Sequence, residues 1–317
     1  MGNKDQAVTS PVAMIPLPGR TQIELRGADR AVFLQNLCTN DVRKLQPGEG
    51  CEAFFTNIKA KVLAHVFIFA GTDAHLIDTA PGQTETVLQH LDRYLIREDV
   101  QLNDLGHQRS EILLSGTESP SLLKMAGVTD LPKHMYANIE THIDDIPLTI
   151  YRIPMVADPC FLLATPEEFS TKLCSFLLDN GVLAWEEGAF HAARIAQGFP
   201  LYGIDICSDD LAQEVNRDEQ AISYVKGCYL GQEPIARIDA LGHVNRSLVG
   251  LQIDSPNPPM PGTLLFANEK EVGRITSSTT VANQTHSLAL AYLSRRANSP
   301  GTSIRVDGKD AKVISLP

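Results

Sequence analysis

Lys226-Gly227-Cys228-Tyr229-Leu230-Gly231-Gln232-Glu233 packs a thiol, a cation, a carboxylate, an amide and two glycines into eight positions. Neither a core strand nor a solvated helix face calls for that mixture. Glycine is free to adopt positive φ and lets the backbone turn or approach a ligand closely, so the run reads as a loop that presents Cys228. Lys226 precedes the thiol by two residues and Arg237 follows in the same segment, and nearby positive charge favours thiolate over thiol. The competing reading is a connecting loop whose cysteine is packed as a small apolar residue, which is where free cysteines are commonly found.

Working outward, the 317 residues exceed a typical single domain and carry 43% hydrophobic residues, enough for two or three cores. The formal net charge of −11 without any Lys/Arg-rich run speaks against general nucleic-acid or membrane-surface binding, so an anionic ligand needs a locally basic pocket. Cysteines 38, 51, 160, 174, 207 and 228 are scattered, with no spacing that builds a metal or cluster site, and no metal site is expected. The start MGNKDQAVTSP lacks an apolar signal core, and the longest apolar stretch, Val62 to Ala70, is too short to span a bilayer, which fits a reducing cytoplasm.

Periodicity organises the rest. Residues up to about Leu17 are aperiodic; Thr21 to Arg26 alternates as a half-buried strand, and a helix follows, with Asp29 as its cap and Val32, Phe33 and Leu37 on one side. Val62 to Ala70 and His75 to Asp78 read as a hairpin, followed by a helix through Val87, Leu88, Leu91 and Leu95. The pattern recurs: Leu148 to Ile153 and Cys160 to Ala164 form a second hairpin, followed by a helix from Pro166 with Thr165 and Glu168 as a capping box. Ser110 to Ser115 gives a strand between the copies. A helical stretch, Leu183 to Gln197, ends at Gly198-Phe199-Pro200, and Tyr202 to Asp218 is a polar connection. After Arg246 six short β pieces separated by Pro, Gly and Asn suggest a small barrel or sandwich. The expected class is α+β, with α+β modules over 1–105 and 106–245, the second including the opening motif, and an all-β domain over 246–317.

Phosphate loops, dinucleotide fingerprints, HExxH and GxSxG are absent. The run KGCYLGQEPIAR, Gly27-Ala28-Asp29-Arg30, Phe33-Leu34-Gln35, Thr39-Asn40-Asp41-Val42, Arg194 to Pro200 and Glu271 to Ser277 together resemble the YgfZ-type folate-binding proteins, relatives of the glycine cleavage T-protein. The resemblance implies two α+β modules and a C-terminal barrel around a folate-binding channel, with tetrahydrofolate or a derivative as cofactor and iron–sulfur enzymes or assembly factors as partners. Cys228 would be the functional thiol, with Lys226 beside it. For an acidic folate tail the candidates are Arg194, Arg237 and Arg246; for polar recognition, Glu214, Gln232 and Glu233, with Tyr229 in the same segment. Arg194 suits the dipole at a helix C-terminus equally well, and Arg237 and Arg246 suit surface pairs with Asp239 or another acid.

Departures from the T-protein pattern matter as much. Where aminomethyltransferases carry an acidic pair, this chain has Ala64 and His65, and the folate-contacting Glu of the family's R-L-E-A-G segment falls at Ala196. The resemblance therefore implies no glycine-cleavage activity, while His65 offers a replacement base. Three readings stand: a folate-binding protein that supports iron–sulfur enzymes, a tetrahydrofolate-dependent one-carbon transferase or demethylase with relocated catalytic groups, and a scaffold that binds neither ligand.

Overall fold

The computed structural model describes residues 12–316. The opening Met1 to Pro11, read above as lacking a signal core, lies outside them. The chain begins with β1 (Ala13–Pro16), β2 (Thr21–Arg26), α1 (Arg30–Leu37), β3 (Gly50–Thr56), β4 (Val62–Ala70), β5 (Ala74–Thr79), α2 (Thr84–Asp92) and β6 (Gln101–Asp104). Next come β7 (Arg109–Ser115), α3 (Ser119–Met125), β8 (Asn138–Ile143), β9 (Ile146–Arg152), β10 (Cys160–Pro166), α4 (Ser170–Asp179), β11 (Leu183–Ala184) and α5 (Glu187–Gln197). Two short helices, α6 (Asp218–Ala221) and α7 (Gln232–Leu241), lead to β12 (Arg246–Ile253), β13 (Leu264–Ala267), β14 (Lys270–Thr280), β15 (Ser287–Ser294), β16 (Ser303–Val306) and β17 (Lys309–Ile314).

Strands β3-β4-β5-β2-β6 form one sheet, β11-β1-β7-β10-β9-β8 a second, and β12-β15-β14-β13-β16-β17 close a barrel, so the mixed α/β class with a small C-terminal barrel holds. The hairpin-plus-helix repeat is present as β4-β5-α2 and β9-β10-α4. Each copy covers one face of its sheet with apolar side chains: Val87 and Leu91 on the first, Leu173 and Leu177 on the second. The other faces supply Phe67, Phe69 and Leu76 from the first sheet and Leu113, Tyr151 and Leu162 from the second to a shared core between the modules. Sheet membership does not follow the chain boundary at 105. The aperiodic opening hid β1, which pairs with β7 and β11 of the second sheet.

Three local expectations change. Thr165 and Pro166 continue β10, with Thr165 Oγ1 donating to the Pro147 carbonyl, so the helix starts at Ser170. Asp29 does not cap α1 with its side chain; its carboxylate accepts instead from the Asp99 backbone N–H. Leu183 and Ala184 pair in parallel with β1, so α5 starts later than its periodicity suggested and ends where Gly198 takes φ +75°.

Candidate functional site

The opening motif is fastened to the first module. Lys226 is buried, and its Nζ donates to the carbonyls of Gln35, Cys38 and Asn40 at 2.7 Å each, with the Tyr229 ring 4.8 Å away. This is the end of α1 and the Thr39-Asn40-Asp41 turn. Thr39 and Asn40 complete the clasp by bonding the carbonyls of Ala221 and Gln220. The last glycine of the motif is obligatory: Gly231 has φ +83°, and a Cβ there would lie 2.5 Å from Thr56 Oγ1 and 2.7 Å from the Asn57 carbonyl. Gly227 has open space around its Cβ position, and Cys228 beside it is exposed.

The expectation that Lys226 serves the Cys228 thiol is therefore corrected, because its three donors are taken by carbonyls and its nearest thiol is Cys38, at 4.0 Å. Burial, partly offset by Lys226, pushes the Cys38 thiol up. Arg194 is also committed internally, at 1% exposure, to Asp205 at 2.7 Å, Ser277 and the Phe199 carbonyl, which binds α5 to the barrel. Arg246 meets Asp210 at 2.7 Å and Glu214 at 3.2 Å across the Tyr292 ring, so Glu214 and Arg246 form one joint between the 205–215 loop and β12. Tyr229 belongs to the core under this loop, and Gln232, Glu233 and Arg237 lie on α7, the last two exposed. The structure thus divides the candidates among three places and does not gather them into one pocket.

What it does gather is a set scattered over the sequence. Glu52 of β3 is fully buried; its Oε1 takes His65 Nε2 at 2.7 Å, and its Oε2 takes Arg217 Nη2 at 2.6 Å and the Tyr136 hydroxyl at 2.8 Å, with Arg217 Nε completing a bidentate pair. Burial opposes the Glu52 charge, but Arg217 and then His65 hold its carboxyl well below the usual range. Burial and the Glu52 charge in turn raise the Tyr136 phenol. An ionised Glu52 can only accept, so His65 carries a hydrogen on Nε2. Phe199 covers the imidazole, ring centroids 5.5 Å apart, and Arg217 lies 5.1 Å from the Phe199 centroid.

His65, Phe67, Phe199 and Pro200 line a pocket of about 20 Å³, room for one water, which shares Arg20, Ala80, Leu201 and Tyr202 with a cavity of about 430 Å³. That cavity is walled by Ile15, Leu17, Phe190 and Ile204, with Glu187 and His191 from α5. Arg20 at the junction is held by Asp78, its Nε 3.0 Å from Oδ1, and lies 3.2 Å from Glu111, while its Nη1 has no internal partner among the described residues. Sequence reading missed Arg20, Glu52, Asp78, Tyr136 and Arg217. The available signal was a carboxylate inside an apolar run: Glu52 is flanked by Cys51 and Ala53-Phe54-Phe55. Among the described residues no cluster of three or more His, Cys, Asp or Glu is placed to hold a metal, and no helix is long and apolar enough to cross a membrane.

Residues 2–218 match the family model of the GCVT N-terminal domain, and residues 246–317 match that of the glycine cleavage T-protein C-terminal barrel domain. The chain belongs to the glycine cleavage T-protein family. It is 27% identical over 99% of its length to a chloroplastic Arabidopsis thaliana protein named as a transferase, covering 73% of that protein. It is 24% identical over 98% of its length to an aminomethyltransferase of Rippkaea orientalis, covering 87% of it. In fold it is similar to the crystal structure of the glycine cleavage system aminomethyltransferase T from Bartonella henselae, with TM-score 0.88 at 20% identity, over 99% of this chain and 88% of that one. The family is folate-dependent. The cavity beside Arg20, of about 430 Å³ with apolar walls and a few convergent polar groups, has the ordinary form of a small-molecule site.

Proposed function

We propose that the chain is a reduced-folate-binding protein of the YgfZ type that supports the maturation or repair of iron–sulfur enzymes and does not carry out glycine cleavage. The observation that carries the reading is the replacement on β4: Ala64 and His65 stand where the acidic pair of the aminomethyltransferases is expected, and the one carboxylate beside them, Glu52, is engaged by Arg217, Tyr136 and His65. Ile15, Leu17, Phe190 and Leu201 would hold the ligand's rings, and Arg20, Tyr202 and His191 its polar groups. A reduced folate supplies nitrogens that carry one-carbon units. Cys228, exposed at the open tip of its loop, is the functional thiol of this reading, and six free cysteines suit a reducing compartment such as the cytoplasm.

Calorimetric titration with tetrahydrofolate tests the reading. Saturable binding that Arg20→Leu weakens, with no tetrahydrofolate-dependent ammonia release from an aminomethyl-lipoyl carrier, is expected. No binding at millimolar reduced folate would sink it.

One arrangement favours a second reading, a folate-dependent one-carbon transferase or demethylase. The Arg217–Glu52–His65 chain orients an imidazole beside the cavity, as a general base requires. Turnover of an N-methyl or aminomethyl donor that is abolished in His65→Gln while folate binding persists would favour it over the first.

A further inference from the structure

Between the sheets lies a second cavity, of about 420 Å³, which shares no lining residue with the one proposed for folate. Phe69, Leu76, Leu105 and Ala164 make its apolar wall. Its polar wall holds Arg109, at the start of β7, with Thr149 and Tyr151 of β9. Unlike Arg20, Arg194 and Arg217, each paired with a buried carboxylate, Arg109 has only hydroxyl partners among the described residues: Tyr151 Oη at 3.1 Å and Thr149 Oγ1 at 3.4 Å.

Both hydroxyls accept from Arg109, and Thr149 lies within reach of the Tyr151 oxygen, which leaves the Tyr151 hydrogen to give. His75 stays out of this wall: it pairs with Leu25 on the helix face of the first sheet, where its Nδ1 accepts from Arg30 Nε at 3.2 Å.

The carboxylates nearby do not neutralise this wall. Glu24 is taken in bidentate fashion by Arg26 at 2.8 Å, and Glu140, the register partner of Thr149, is exposed at the rim. Burial and Asp78 hold the buried Glu111 carboxyl well above the usual range, and although Glu111 and Asp78 lie near enough to raise the Arg109 pKa, neither hydrogen-bonds it. Arg109 thus faces a half-apolar cavity with hydroxyls as its only hydrogen-bond partners among the described residues. Buried donors left unmatched are costly, and charge-assisted hydrogen bonds are the strong ones.

The geometry points to a binding site for a small organic monocarboxylate with an apolar body, its carboxylate on Arg109 and its body against Phe69 and Leu76. The exposed Glu140 at the rim disfavours polyanions and dianionic phosphate.

The test uses full-length protein, with benzoate as the probe and benzyl alcohol and inorganic phosphate as controls, by calorimetry and thermal shift. Benzoate should bind saturably, at least about tenfold more tightly than benzyl alcohol, the discrimination one charge-assisted contact provides. Arg109→Gln should lose that preference. Glu140→Trp, a change on the edge strand at the cavity rim, on the face shared with Thr149, should abolish benzoate binding even if Arg109→Gln fails to fold. A saturating reduced folate should leave benzoate binding unchanged, which separates this site from the folate proposal. Equal binding of benzoate and benzyl alcohol, phosphate binding tighter than benzoate, displacement by folate, or undiminished benzoate binding in Glu140→Trp would each overturn it.

Discussion

The Lys226–Glu233 segment and the Glu52–His65–Tyr136–Arg217 cluster make opposite impressions in sequence and in space. The segment is conspicuous in sequence, yet its cation and its second glycine serve the fold, and Gly227, Cys228 and Glu233 are what it exposes to solvent. The cluster is invisible as a motif, since its members are separated by up to 165 residues, yet it concentrates the buried charge beside the central cavity. The difference teaches that a dense motif can be a fastening, while chemistry is assembled from strands and loops that meet only in the fold.

Breaking the cluster should have the largest effect. Arg217→Met strips the buried Glu52 carboxylate of its main partner and should cost about 3–5 kcal/mol in urea unfolding at pH 7. The sign with pH follows from the depressed Glu52 pKa: the stabilisation is present above the unfolded carboxyl pKa of about 4.3 and is lost as pH falls through the lower folded value. The gap between wild type and variant should therefore narrow in acid. A loss below about 1 kcal/mol at pH 7 would mean that water relieves Glu52 and that the cluster is no more than a surface pair.

The segment should respond next. Lys226→Met leaves three carbonyls without their donor, a cost on the order of 2–4 kcal/mol, and should free the 220–230 loop so that its amides exchange faster. Global loss without faster local exchange would contradict the clasp described above.

Smaller still, Glu111 sharpens what pairing means. Glu52 is buried with its carboxyl held well below the usual range; Glu111 is buried with its carboxyl held well above it, neither of its oxygens making a well-formed hydrogen bond. A raised folded pKa leaves full stability below the unfolded value and removes about 1.4 kcal/mol per pH unit as pH climbs toward the folded value. Glu111→Gln, which cannot ionise, should gain on wild type between pH 5 and pH 8 in thermal melts. A pH-independent difference would show that Glu111 is ionised and shares the Arg20 charge with Asp78.

The fold was largely readable because hairpin alternation and helical periodicity are local: both hairpin-plus-helix units and the barrel strands lie close to where their patterns placed them. What was not readable was non-local. β1 carries no alternation of its own and is fixed by β7 and β11, and Thr165-Pro166 has the residues of a helix start but is drawn into β10 by pairing across to Ser110 and Arg109. At the site, the sequence offers Arg194 to a folate tail or a helix dipole and Lys226 to the Cys228 thiol, whereas their partners, Asp205 and three carbonyls, are set by the fold and carry no local signal.

Cys228 gives the smallest stability effect and the finest test of the comparison. An exposed thiol beside an open glycine makes few contacts, so Cys228→Ala should change unfolding free energy by less than about 0.5 kcal/mol, as expected for a surface change. Cys207 is the control, because it is exposed too but lies outside the motif. If exposure alone governs reactivity, iodoacetamide should modify Cys207 and Cys228 at similar rates, Cys174 more slowly, and buried Cys38, Cys51 and Cys160 last, since burial raises their pKa. If the segment has a chemical task, Cys228 should outpace Cys207, and Cys228→Ala should fail to restore iron–sulfur enzyme activity in cells lacking the native protein while Cys207→Ala restores it. Equal alkylation together with full complementation by Cys228→Ala would leave the motif as a fastening throughout, with the Glu52–His65 cluster as the functional centre.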